Sequence, residues 1–345
     1  MDKILVEGQH GTGGFIDSYD SRDLKLSEIA GATSPFNWQL GYDVEKSFSF
    51  KLEVKDQGQS FSCGGQAWAY LSEILEALST GTYEPRSAKY IYAQTAVEGG
   101  GSYGRDNCAV LESQGVCDES VLSSYPNSET NLTAAIDITP KVREDARKAM
   151  FYPYAHAEPD IDSIAQAIRD HKAVVLGVDG QNNGTWTSQF PKPPTKTAWR
   201  HWVVATGAEL INGKKHIKII NSWGESVGVK GRQWLSEDYF TTEHVFDNWT
   251  HIYKASPPPT IVFNTNLRYG MKNDEVLKLQ RVLRQLGYFK LPYTTNYYGQ
   301  ETQKSVLAFQ LEKGIIRFGI ETLFGYFLGP KTREALNNLK VVIGT

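Results

Sequence analysis

The stretch Ala255-Ser256-Pro257-Pro258-Pro259-Thr260 most limits how this chain can fold. Each proline fixes φ and lacks an N–H to donate, so three in a row end any helix or central strand and favour a stiff, extended segment. Residues 255–262 therefore read as a linker, and the residues on either side must each close a core of their own. A length of 345 residues agrees, because single cores usually stop growing below that size. Charge divides at the same point: the net charge is +6 from Thr260 onward and −9 before it. The chain as a whole is 40% apolar and 22% charged, an ordinary globular balance that demands no nucleic-acid partner. No apolar run approaches the roughly 20 residues of a membrane span. The N-terminus, MDKILVEGQHGTGG, lacks the features of a secretory signal.

Upstream of the linker, chemistry concentrates in Asp56 to Tyr70, DQGQSFSCGGQAWAY. Cys63 follows a polar turn and precedes Ala67, Trp68, Leu71, Ile74 and Leu75, which recur at helical spacing. A thiol at a helix N-terminus lies where unpaired N–H groups and the helix dipole favour the thiolate. The Gln57 amide lies six residues earlier and, with the Cys63 N–H, can hold the oxygen of a tetrahedral intermediate. A buried structural cysteine fits this segment equally well.

A base for the thiol lies far downstream. Arg200-His201-Trp202-Val203-Val204-Ala205 and His216 to Trp223 read as two strands joined through Ile211-Asn212-Gly213-Lys214. This hairpin puts His201 and Asn221 on neighbouring strands. The Asn221 oxygen can then hold one imidazole nitrogen while the other faces a thiol, takes its proton and returns it to a leaving amine.

These residues resemble the papain-like cysteine peptidases. Cys63 and His201 are 138 positions apart, within the family's spacing of about 130–150. The resemblance runs from about Pro35 to Tyr253, through Phe36-Asn37-Trp38, Val54-Lys55-Asp56-Gln57-Gly58, Gly99-Gly100-Gly101-Ser102-Tyr103 and Asn221-Ser222-Trp223-Gly224. It implies Cys63 as nucleophile, His201 as base and acid, Asn221 as orienting residue, Gln57 as oxyanion donor, and Trp223 as the ring shielding the Asn–His contact. Gly64, Gly100, Gly101 and Ser102 would line the substrate cleft. No metal or organic cofactor is implied. The implied fold is α+β: a helical lobe bearing Cys63 and an antiparallel sheet lobe bearing His201, over residues 35–254. The chain departs from the family's Cys-Gly-Ser-Cys-Trp in having Ser60 for the first cysteine and Gly64 for the tryptophan. Arg200 before the histidine is a third departure.

Residues 1–34 mix glycine and acidic side chains without a period and read as an arm that wraps over the catalytic domain or stays partly mobile, an ordered arm with no regulatory role being expected in preference to one that occupies part of the cleft. Cys108 and Cys117 either pair with each other or stay free. Asp160 caps a helix through Asp170, and Ala173 to Val178 reads as a buried strand. The loop Gln181 to Thr197 should border the groove.

Beyond the linker, Gly270 to Leu286 reads as a helix stopped by Gly287. Tyr298-Gly299-Gln300-Glu301-Thr302 is echoed by Leu328-Gly329-Pro330-Lys331-Thr332. The pattern, including Gln280 and Gln310, resembles the small three-helix peptidoglycan-binding domain over residues 263–345, with an aromatic insert bearing Phe318, Phe324, Tyr326 and Phe327. That resemblance implies a cell-wall polymer as partner. The expected function is a thiol endopeptidase acting on a protein or peptide through a thioester, outside the cell or facing its envelope. With no export signal, delivery within a phage particle is one route. The rival is an inactive papain-like protein that binds the wall or serves as a virion component.

Overall fold

The computed structural model describes residues 5–21, 23–29, 34–149, 153–253, 262–291, 294–316 and 325–339. The triple proline and the insert aromatics Phe318 and Phe324 lie outside the described residues. The chain divides into two compact units, residues 1–256 and 257–345.

The first unit opens with a short strand, β1 (Gly14–Phe15), and then the helix α1 (Cys63–Thr80). Trp68, Leu71, Ile74 and Leu75 of α1 are fully or almost fully buried, and Gly81 ends the helix in the left-handed conformation at φ 75°. Two more helices, α2 (Ala88–Thr95) and α3 (Gly104–Gln114), pack on α1, with β2 (Ser102–Tyr103) between them. Next come β3 (Tyr154–His156) and the helix α4 (Ile161–His171), whose first turn is capped by Asp160 accepting from the Ser163 N–H.

The sheet is formed by β3, β4 (Val174–Gly180), β5 (Trp199–Ile211), β6 (Lys214–Ile220), β7 (Arg232–Ser236) and β8 (Val245–His251). Its antiparallel order is β3-β8-β4-β5-β6-β7, and Tyr42–Asp43 adds a short strand against β5. Strand alternation gives the sheet two buried faces. Val175, Trp202 and Val204 pack in one core with Trp68 and Ile74 of α1, while Val174, Leu176, Val203 and Ala205 pack with Ile164 and Ile168 of α4. This is the helical lobe and antiparallel sheet lobe expected from the sequence.

The second unit holds β9 (Leu267–Arg268), α5 (Asp274–Gln285), α6 (Gln300–Glu312), β10 (Phe327–Leu328) and α7 (Pro330–Asn338). Its first helix starts at Asp274, four residues after the expected Gly270, because Asn273 caps it and the backbone of Gly270–Lys272 pairs with Tyr297–Tyr298 instead. The repeat read in the sequence has a structural basis. Gln280 Nε2 donates to Thr302 Oγ1 at 2.8 Å and to the Tyr297 carbonyl at 2.8 Å. Gln310 Nε2 donates to Thr332 Oγ1 and to the Phe327 carbonyl, both at 2.9 Å. Each buried amide thus ties one helix to the start of the next, twice in the same way.

Candidate active site

The imidazole of His201 is held by a relay that begins at two backbone carbonyls. Gln233, on β7, is fully buried and donates from Nε2 to the Trp186 carbonyl at 2.7 Å and the Ser188 carbonyl at 2.8 Å. Carbonyls only accept, so the amide orientation of Gln233 is set and its Oε1 must face Asn221. Asn221 Nδ2 donates to that oxygen at 2.8 Å, which turns Asn221 Oδ1 toward the ring. The Ser222 N–H also reaches Oδ1, at 2.8 Å. His201 Nε2 therefore carries the hydrogen and donates to Asn221 Oδ1 at 2.9 Å. Nδ1 is left with a lone pair and, among the described residues, has no hydrogen-bond partner. Trp223 stacks on the ring with centroids 4.5 Å apart and planes 25° apart. Trp186, from the loop after β4, meets His201 and Trp223 edge-on and closes the aromatic wall.

Gln57 is locked in a similar way. Its Oε1 accepts from Ser222 Oγ at 2.6 Å, and its backbone N–H donates to the Ser222 carbonyl at 2.8 Å. The two amide hydrogens point to the Ser60 carbonyl at 2.8 Å and the Gly11 carbonyl at 3.2 Å. Cys63 opens α1 with backbone N–H groups of Trp202, Gly13 and Gly64 around its sulfur. Trp202 is the residue after His201, so the thiol lies against the strand that carries the imidazole. Gln57, Cys63, His201 and Asn221 are all fully buried.

The N-terminal arm wraps over these residues and reaches the Gln57 and Trp223 side chains, so the preference for an arm that does not occupy the cleft is corrected. The Gly11 carbonyl takes both the Gln57 amide and the Trp223 indole N–H, the latter at 3.2 Å. His10 stacks on Trp223 at 5.0 Å, and the Gly11 N–H donates to the Gly58 carbonyl at 2.9 Å. Gly13 accepts from the Ser102 N–H at 2.9 Å, and β1 runs parallel to β2 in the register Gly14 to Ser102. The arm grips through its backbone and fits because it is glycine where it passes closest. A Cβ on Gly11 would overlap the Ser60 carbonyl, and one on Gly13 would fall 2.8 Å from the Gly101 Cα.

Electrostatics follow from that cover. Burial pushes the Cys63 thiol up to about 12, outweighing the three backbone N–H groups, while it pushes His201 down to about 4 despite the Asn221 hydrogen bond. The helix-terminus argument for a thiolate thus loses to desolvation while the arm is in place, and the covered pair is neutral.

The departures from the family pattern have local causes. A Cβ on Gly64 would overlap Ser102 Oγ and sit 2.6 Å from Asn107 Nδ2, so a large side chain has no room there. Ser60 Oγ donates to the Gln57 carbonyl at 2.7 Å and meets Ser62 Oγ at 2.8 Å, fastening by hydrogen bonds a turn that a disulfide would otherwise tie. Arg200 is paired with Asp179 at 3.0 Å. Cys108 and Cys117 are free thiols, and Cys108 Sγ accepts from Trp68 Nε1 at 3.1 Å. Of the residues expected at the cleft rim, Gly100 and Gly101 take φ 93° and 90°, and Gly101 and Ser102 are both buried, with Ser102 bonded to Asn107. Tyr92 and Glu129, not anticipated from the sequence, support that rim: Tyr92 Oη accepts from the Gly101 N–H and donates to Glu129, both at 2.7 Å. Gln233 and Trp186 were likewise not anticipated. The one available signal was a glutamine at an inward position of the strand Arg232–Ser236.

The fold defined by these two lobes is papain-like. The first unit resembles xylellain, a cysteine protease from Xylella fastidiosa, at 21% identity and TM-score 0.58, over 71% of this chain and 97% of that one. It resembles the bromelain protease of Ananas comosus at 20% identity and TM-score 0.52, over 62% and 99% of the two chains. It also resembles digestive procathepsin L 3 of Tenebrio molitor at 18% identity and TM-score 0.53, over 67% and 74%. Residues 272–317 match the family model described as a putative peptidoglycan binding domain. The chain therefore joins a papain-like cysteine protease fold to a peptidoglycan-binding-type domain. No curated protein sequence matches it.

Proposed function

We propose that this protein is a papain-like cysteine endopeptidase carried to the bacterial cell wall by its C-terminal domain. The observation that carries the reading is the Gln233–Asn221–His201 relay, which leaves the Nδ1 lone pair of a neutral imidazole available on the strand lying against Cys63. With the arm displaced, Nδ1 takes the thiol proton and the sulfur adds to the substrate carbonyl. The resulting oxyanion is held by the Gln57 amide and the Cys63 N–H. The imidazolium then gives its proton to the leaving amine, and a thioester remains. Water, deprotonated by the same nitrogen, adds to the thioester and releases the acid and the thiol. Trp223 keeps water from the His–Asn bond throughout. The substrate is a protein or peptide at the envelope, met outside the cell or during delivery in a phage particle.

A peptide-library digest by the native chain and the C63A variant, each also in a G13A background that displaces the arm, tests the chemistry. Cleavage should require Cys63 and increase when the arm is displaced. Sedimentation with purified sacculi, comparing the full chain with one ending at Ser256, tests targeting; equal recovery of the two would remove the wall from the proposal. The covered, neutral thiol favours a second reading, an inactive wall-binding protein. The absence of Cys63-dependent cleavage in the G13A background would select it.

A further inference from the structure

The arm enters the cleft from a pocket of 190 Å³ on the far side of β2, lined by Asp17, Asp23, Arg105, His156, Asp247 and Trp249 among others. Arg105, near the start of α3, clasps the arm at several points. Its Nε and Nη2 reach the two oxygens of Asp23 at 2.9 and 2.5 Å, and Nη2 also reaches the Ser18 carbonyl at 2.8 Å. Its backbone N–H donates to Asp17 at 2.9 Å, with Nη1 at 3.4 Å from the same carboxyl. Its guanidinium lies over the Trp249 ring. A planar guanidinium with two carboxylates and a carbonyl is a high-order clasp for so short a segment. The cleft end of the arm is held chiefly by backbone hydrogen bonds and the His10 ring stack, with the Glu7 carboxylate accepting from the Gly184 N–H at 2.8 Å.

We infer that the Arg105 pocket is a latch that holds residues 5–15 across the cleft, and that breaking its contacts to Asp17 and Asp23 opens the enzyme. The inference deepens the peptidase reading by giving that site its control. The guanidinium clasp lies away from the cleft residues, so it can be broken without altering any residue that faces substrate.

The latch also responds to pH. Asp17 donates its backbone N–H to Asp247 at 3.3 Å and packs beside that carboxylate, which is itself bonded to His156 at 2.7 Å. Burial raises the Asp17 carboxyl to about 7; its contacts with Arg105 oppose this and the neighbouring Asp247 adds to it. Asp20, Lys25 and Glu28 complete the charged surround. A carboxyl whose docked pKa is raised binds its proton better docked than free. Its contribution to docking is full below the ordinary carboxylate range of about 4 and is lost as pH rises through about 7. Asp17 therefore tightens the arm in acid and ceases to do so toward neutral pH, while His10 and His201, whose pKa values burial lowers, act in the opposite sense and disfavour docking as they protonate.

Hydrogen–deuterium exchange on the full chain tests the latch without reference to catalysis. The Gly11 and Ser102 amides, bonded to Gly58 and Gly13 in the docked arm, should exchange about tenfold faster or more in R105Q and in D23N, the scale of one lost charge-assisted hydrogen bond. Alkylation of Cys63 by iodoacetamide, quantified on its peptide, should accelerate in parallel. D23N leaves the body of the lobe unaltered, so it answers even where R105Q fails to fold. G13A, which collides with the cleft directly, marks the rate of a displaced arm. Native-like exchange at both amides in a folded D23N or R105Q would overturn the latch. Faster exchange and alkylation without cleavage of any library peptide would uphold the latch and overturn the peptidase reading. D17N should remove the loosening of the arm as pH rises toward about 7 and leave only the opposite dependence from His10 and His201, once intrinsic rates are divided out, and an unchanged dependence would overturn that role.

Discussion

At the scale of single residues, the candidate site depends on amides whose orientation is set by neighbours that cannot reverse. Gln233 is the first of these. Replacing it by leucine leaves the Asn221 amide hydrogens without their acceptor and frees that side chain to turn over, presenting Nδ2 to the ring. We expect Q233L to lose about 1–3 kcal/mol of stability in urea, the cost of an unmet buried polar group. Imidazole nitrogen shifts of His201 should move from one tautomer to a mixture, a change that a purely structural defect would not produce. Gly64 is constrained by space instead of hydrogen bonding. G64A should destabilise the first unit by about 1–3 kcal/mol through overpacking against Ser102 and Asn107, measured by the same unfolding curve. The covered thiol gives a third expectation. With Cys63 raised to about 12, native alkylation should climb steadily across the neutral range without a plateau. In G13A, renewed solvation and a free imidazole should bring a plateau near or below neutrality.

At the scale of elements, what could be read in advance was whatever side chains announce. Helix α1 and the β5–β6 hairpin were legible because their apolar residues recur with the right period, and the hairpin's Asn212-Gly213 turn fixed which residues face each other. The Asp160 cap was legible for the same reason, a carboxylate preceding an amphipathic run. The arm was not, because it binds through the carbonyls and amides of glycines, which carry no side-chain signal. Gln233 was hidden too, since its importance arises only once a loop some 45 residues earlier presents two carbonyls to it. The expected helix from Gly270 began too early because an apolar period cannot see that the backbone of Gly270–Lys272 is claimed by Tyr297–Tyr298. In the second unit the paired glutamine clamps make an element-scale prediction. Q280L and Q310L should each weaken that unit by about 1–3 kcal/mol, because each leaves a Thr hydroxyl and a backbone carbonyl unmatched. Equal losses would show that the two copies of the motif are energetically equivalent.

At the scale of the whole molecule, two compact units with separate cores should unfold as two transitions. Calorimetry of Q280L should therefore lower one transition and leave the other in place, whereas G64A should do the reverse; a single merged transition shifting in both variants would contradict this. The division of labour matches the proposed function, with chemistry and its control in residues 1–256 and wall recognition in residues 257–345. Charge follows the same division, and the net positive second unit would be drawn to an anionic polymer over a range set by salt.

The position of the arm in the chain also matters for biosynthesis. Residues 5–15 leave the ribosome before Cys63, and both leave well before His201. The helical lobe can therefore collapse around its own stopper, and the thiol need never meet its base in an uncovered groove inside the cell that makes it. A stopper encoded at the other end of the chain would arrive only after the two lobes could have closed on each other.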